Sequence, residues 1–136
     1  MKMYALAATI LAVHLILLAF WTGTVRTLRK VYTNPEDAKL NKVEVATADH
    51  DDVLRAHRAH VNALENAVPF FAVGLLYAMT DPTKDGAMIY FAVFVAARVL
   101  HSVFYLWGRQ PFRTLSFAIG ALATLGMAVH VVQHAM

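Results

Sequence analysis

The chain contains no cysteine. That excludes disulfides, cysteine-ligated zinc and iron–sulfur sites, and any thiol nucleophile belonging to the protein itself. Charge is scarce as well. Only 15% of residues are Asp, Glu, Lys or Arg, against about 25% in an ordinary soluble domain. Four prolines and six glycines in 136 residues leave few helix breakers. There is no internal repeat, no low-complexity segment and no β-barrel alternation. What fills the chain is apolar: 59% of residues, with a mean hydropathy of +0.51. So short a chain has too little interior to hide that excess. The composition disfavours a soluble enzyme and a disordered tail, and points to one domain, residues 1–136, in a bilayer. The net charge of +3 is modest, and no nucleic-acid partner is expected.

The charges are absent in blocks. None lies between Lys2 and Arg26, a gap of 23 residues, enough to cross a hydrocarbon core of about 30 Å. A cleaved signal peptide is the competing reading. The apolar run is longer than a signal core, and Trp21-Thr22-Gly23 leads into a basic run rather than a small-residue cleavage site. A second block, Val61–Thr80, holds one acid, Glu65, on a helix that starts near Asp51 or Asp52. A third, residues 86–108, holds one charge, Arg98, and a fourth, 114–136, holds none. Asp81-Pro82 and Gly108-Arg109-Gln110-Pro111 read as tight turns, and Asn34-Pro35-Glu36-Asp37 as a turn or helix start in the one long connection. The expectation is an all-α membrane protein, a four-transmembrane-helix antiparallel bundle with helices over about 3–30, 52–80, 86–108 and 111–134.

Lysine and arginine placement gives the orientation. Arg26, Arg29, Lys30, Lys39, Lys42, Arg55, Arg58, Arg109 and Arg113 fall at one end, nine in all, against Lys2 and Lys84 at the other. This split places both termini outside and the long connection in the cytoplasm.

Ionisable groups at membrane depth are costly and mark function by default. Arg55, Arg58, Asn62 and Glu65 are spaced 3, 4 and 3 apart, within an arc of about 80° on one helix face. Arg98, His101 and Tyr105 repeat the pattern on the next span, with Ser102 beside them. By helical rise, Glu65 lies about 22 Å and Arg98 about 18 Å from the outer end, level enough to pair. Arg113 and Thr114 sit at the cytoplasmic start of the last helix. The sum is a cationic cavity open to the cytoplasm with one carboxylate at its floor. Forked guanidiniums suit several carboxylates, and a lone acid suits an ammonium. A small peptide with two carboxylates and one amine fits, and glutathione is the abundant cytosolic molecule of that kind. Plainer readings stand beside this one. Glu65 and Arg98 can be a structural pair; Arg26, Arg29 and Lys30 can be headgroup contacts; His57 and His60 lie off the stripe, as packing or interfacial residues. His14, His130 and His134 have no partner at fixed spacing. No metal site is expected.

Four motifs then carry a resemblance. Arg58-Ala59-His60-Val61-Asn62-Ala63-Leu64-Glu65-Asn66 with Pro69-Phe70, Asn34-Pro35-Glu36-Asp37, Ala97-Arg98-Val99-Leu100-His101-Ser102 with Tyr105-Leu106, and Arg113-Thr114-Leu115-Ser116-Phe117 resemble the membrane-associated proteins in eicosanoid and glutathione metabolism (MAPEG). The resemblance runs from about Thr24 to Val132. Its nearest branch is the type 1 microsomal glutathione transferases, with microsomal prostaglandin E synthase a near relative. It implies a homotrimer with three active sites between subunits, and glutathione held bent at the cytoplasmic side as cosubstrate. By motif position, Arg26, Arg58, His60, Asn62, Glu65, Arg98, Tyr105 and Arg113 fall on its glutathione site. The catalytic residues are then Arg113, beside the sulfur, and Thr114. Leu54 stands where the family often has an acid, and Phe117 where the prostaglandin synthase has a tyrosine. These departures favour a transferase acting on lipophilic electrophiles, with possible reduction of lipid hydroperoxides, over an isomerase. A haem-binding or structural bundle is the alternative of another class: the haem reading needs two level histidines, which His14 and His130 are not, although other pairs stay open, and the structural reading gives no reason for nine basic residues to line up with a buried acid. Short connections and many alanines favour a bacterial inner membrane.

Overall fold

A computed structural model describes all residues, 1–136. Four long helices and one short one follow in chain order. They are α1 (Lys2–Arg29), α2 (Pro35–Leu40), α3 (Asp51–Met79), α4 (Lys84–Leu106) and α5 (Gln110–Ala135). The four long helices are long and apolar enough to cross a membrane.

The helix ends follow from local chemistry. Helix α1 stops at Lys30, which turns left-handed at φ 53° and returns its N–H to the carbonyl of Thr27. Arg26 and Arg29 in its last turn suit the negative end of the helix dipole. The Asn34-Pro35 motif opens α2, with Pro35 in its first turn and Glu36 and Asp37 following. Helix α3 starts at Asp51, one residue ahead of the expected span, and its cap is the residue before: His50 Nδ1 accepts from the Asp52 N–H at 3.1 Å. Thr83 Oγ1 accepts from the Gly86 N–H at 3.2 Å. This cap starts α4 two residues ahead of the expected span. Between α4 and α5, Gly108 adopts φ 69°, and a Cβ there would lie 2.8 Å from an Arg55 guanidinium nitrogen.

Helix α4 packs most extensively on α5, and α1 on α3; α1 and α5 do not touch. The buried face of α3 is a file of Val53, Ala56, Ala59, Ala63, Ala67, Phe70, Gly74 and Tyr77, and its small members let neighbouring backbones come close. The interior has two halves. Towards the α3–α4 turn it is apolar: Leu11, Phe70, Tyr77, Phe91, Phe94 and Met127 form one cluster, with Phe70 and Phe94 stacked at 4.1 Å. Towards the α4–α5 turn the buried side chains include Arg98, His101, Ser102 and Ser116. The outward faces of all four spans are apolar, with residues such as Phe20, Val68, Ile89 and Leu122 exposed, as lipid or a neighbouring apolar surface requires.

Candidate functional site

The polar half is organised around Arg98, which is 1% exposed. Its Nη2 donates to the side-chain oxygen of Asn62 at 2.8 Å and to the Asn62 carbonyl at 3.1 Å. The expected ion pair with Glu65 does not form. Three residues of helix turn it by about 300°, so Glu65 stands about 60° round from Asn62, and its side chain is exposed. Arg98 therefore meets α3 one turn nearer the cytoplasmic end than helical rise alone placed it. Its Nε and Nη1 have no partner within the chain. Gly120 on α5 makes room for its stem, since a Cβ there would stand 3.3 Å from Arg98 Cδ.

Ser102 and His14 extend the network across the bundle. Ser102 Oγ donates to the Arg98 carbonyl at 3.1 Å and lies 3.0 Å from His14 Nε2. A hydroxyl has one hydrogen, so the His14 Nε2–H is the donor to Ser102. His14 thus has a partner that no fixed spacing within α1 could reveal, 88 positions away. His130 packs edge-on against Tyr77 at 5.0 Å.

The α4–α5 corner is fixed at two points. His101 Nδ1 lies 2.9 Å from the Arg113 carbonyl, and a carbonyl only accepts, so Nδ1 carries the hydrogen. The Arg113 guanidinium stacks over the Tyr105 ring, 4.7 Å from its centroid. Tyr105 in turn lines a hollow of about 370 Å³ together with His57, Arg58, Val61, Asn62 and Glu65 of α3. A guanidinium, an imidazole, an amide, a carboxylate and a phenol converge there on one mouth.

The structure therefore brings Arg58, Asn62, Glu65 and Tyr105 around one hollow, with Arg98 bonded to Asn62 and Arg113 stacked on Tyr105. Three expected residues lie elsewhere. Arg26 is ion-paired with Asp49 at 3.0 Å. His60 is half-buried and does not line the hollow, and Thr114 is exposed at the start of α5. Arg55 leaves the stripe to pack against Gly108. His57 takes a lining position instead, and its signal was the 4, 4 spacing of His57, Val61 and Glu65, a second file beside the polar one. Asp49, the partner of Arg26, carried no sequence signal beyond its charge, and Asp52, the partner of Arg29, was legible only as a helix start.

Known proteins resemble this chain along almost its whole length. The family profile described as the MAPEG family matches residues 4–133. Microsomal glutathione S-transferase 1 of Homo sapiens is 38% identical over 135 residues, 96% of this chain and 87% of the relative. The Bos taurus protein of the same name is 43% identical over 117 residues, 82% and 76% of the two chains. Prostaglandin E synthase of Equus caballus is 35% identical over 133 residues, 97% and 87%. Profile and relatives span nearly the whole bundle, including every residue of the hollow: the chain belongs to the MAPEG family.

Proposed function

We propose that this protein is a membrane-bound glutathione transferase that joins the glutathione sulfur to lipophilic electrophiles. The observation that carries the reading is the convergence of Arg58, Asn62, Glu65 and Tyr105 on one hollow, with the Arg113 guanidinium over Tyr105. Relatives named microsomal glutathione S-transferase 1 support it.

The chemistry needs a thiolate, and a free thiol has a pKa of about 8.5. A guanidinium beside the sulfur favours the charged form. In this reading Arg113 supplies that charge, held by Tyr105 beneath it, and Thr114 offers a hydroxyl nearby. Arg58 forks onto a peptide carboxylate, Glu65 takes the ammonium, and Asn62, fixed by Arg98, orients the backbone. The thiol proton passes to water. The sulfur then forms a C–S bond with the electrophilic carbon, and the leaving group departs. With a lipid hydroperoxide, two glutathione molecules reduce the O–O bond to an alcohol and water and leave as the disulfide. The chain supplies position and electrostatics rather than a nucleophile.

The proposal includes a homotrimer in which a neighbouring copy closes the hollow and contributes the remaining peptide contacts, among them those assigned to Arg26 and His60. The exposed apolar faces of the spans support that assembly. Nine lysines and arginines at the end of the bundle with the hollow support a site facing the cytoplasm with both termini outside, and the short connections and many alanines support a bacterial inner membrane.

Calorimetric titration with glutathione and conjugation of a chloronitrobenzene by the purified protein test the reading. Saturable binding with turnover supports it; absence of both contradicts it. A glutathione-dependent isomerase is the second reading, favoured by relatives named prostaglandin E synthase at 33–35% identity. Product analysis with an endoperoxide against an aryl halide separates the two.

A further inference from the structure

A larger hollow, about 480 Å³, opens at the other end of the bundle, where α1 begins and α3 turns into α4. Arg58 and Met79 on α3 are about 31 Å apart by helical rise, so this hollow belongs to the opposite leaflet from the candidate site. Its wall is apolar, with Met3, Met88 and Phe91, and four charged side chains stand around it, Lys2, Lys84, Asp81 and Asp85, with Met1 beside them. None of the four is ion-paired; the chain's ion pairs all lie at the far end, on Arg26, Arg29 and His50. Asp81 is held at φ 51° ahead of Pro82, a left-handed conformation that Asp tolerates better than most residues.

The hollow continues inward. Met3 and Phe91 also line a second depression of about 280 Å³ in which every lining residue is hydrophobic, between Leu6 and Ile10 of α1 and Val95 and Ala96 of α4. From the boundary inward there is thus a rim of unpaired charges of both signs, then a dry trough extending about 10 Å along the helices.

We propose that this end of the bundle binds a phospholipid with a zwitterionic, primary-amine headgroup, a phosphatidylethanolamine. The phosphate faces Lys2 and Lys84, the ammonium faces Asp81 and Asp85, and one acyl chain lies in the α1–α4 trough. Two acids on the rim oppose a purely anionic headgroup. A quaternary ammonium has no N–H to give a carboxylate, whereas a primary one has three. A second copy of this chain packed by an apolar helix face would fill the trough but leave the four rim charges unanswered.

Native mass spectrometry of the full chain in detergent, offered phosphatidylethanolamine, phosphatidylglycerol or phosphatidylcholine separately, tests this. Retention of phosphatidylethanolamine about tenfold better than the others is expected, the scale of one charge-assisted hydrogen bond. The double variant Lys84→Gln/Asp85→Asn, in the exposed first turn of α4, removes that preference. Ala96→Trp fills the trough and lowers retention of all three lipids. Glutathione binding is unchanged in both variants. Equal retention of the three lipids by the wild type overturns the proposal, as does a preference that survives the double variant. If Ala96→Trp disperses an oligomer while lipid retention stays the same, a second copy covers the trough and the proposal fails.

Discussion

His101 donates its Nδ1 hydrogen to the backbone carbonyl of Arg113 at 2.9 Å, across the turn that joins α4 to α5. Tyr105, one turn further along the same helix, lies under the Arg113 guanidinium. One helix therefore holds both the backbone and the charge of the residue that, in the proposed mechanism, stands beside the sulfur. His101 is a positioning residue in this scheme. Replacing it with Leu removes the hydrogen bond, and kcat is expected to fall roughly tenfold, about 1–2 kcal/mol, with little change in glutathione affinity. Asn can place an amide N–H near the same point, so His101→Asn restores part of the rate. Steady-state kinetics beside calorimetry check this; equal losses in rate and affinity, with no rescue, contradict it.

Removing the charge itself has a larger effect. Arg113→Ala is expected to lower conjugation about 10²–10³-fold, the usual cost of losing one transition-state electrostatic contact. Arg113→Lys keeps the charge but loses the planar stack on Tyr105, and falls between. Single-turnover rates at saturating glutathione separate these effects from binding.

Asn62 and Arg98 form a coupled buried unit, so their substitutions are not additive. Asn62→Leu removes the shorter of the two bonds that hold the buried guanidinium, keeping only the one to the residue-62 carbonyl, and is expected to lower stability by about 2 kcal/mol. Arg98→Met alone leaves a half-buried amide and costs less. The double variant Asn62→Leu/Arg98→Met recovers much of the loss, because neither partner is left stranded. Thermal unfolding in detergent for the four proteins gives the coupling; simple additivity contradicts it.

These residues show what was legible in the sequence. The four spans, the two short turns and a helix start near Asp51 or Asp52 followed from charge-free blocks and helix punctuation, which are local signals. The polar stripe with Arg58, Asn62 and Glu65 was legible for the same reason, since periodicity along one helix needs no knowledge of its neighbours. Relations between helices were not. Whether Arg98 meets Asn62 or Glu65 depends on how far α3 and α4 slide and rotate against each other, and rise per residue fixes neither. His14 reaching Ser102 and Arg26 reaching Asp49 are likewise set by packing. His57 was passed over because its file lies about 100° from Arg58, while the hollow spans a wider arc than the stripe.

The Arg26–Asp49 pair allows two roles for Arg26 to be told apart. Its members are partly buried at the junction of α1 and α3. If Arg26 acts only through that pair, Arg26→Ala and Asp49→Ala each lower stability by about 1 kcal/mol and leave glutathione affinity alone. If a neighbouring copy presents Arg26 to the peptide, as proposed above, Arg26→Ala weakens glutathione binding and Asp49→Ala does not. Calorimetry on both variants decides it, and equal effects on affinity contradict the proposed contact.

The central claim is that this bundle holds glutathione with its sulfur charged. The most direct measurement is a glutathione titration of the detergent-solubilised protein at pH 7, following thiolate absorbance in the near ultraviolet. Free thiol at that pH is only about 3% thiolate. The account predicts a saturable thiolate signal well above that fraction, lost in Arg113→Ala while binding heat persists. A titration that gives no excess thiolate, or a signal undiminished in Arg113→Ala, contradicts it.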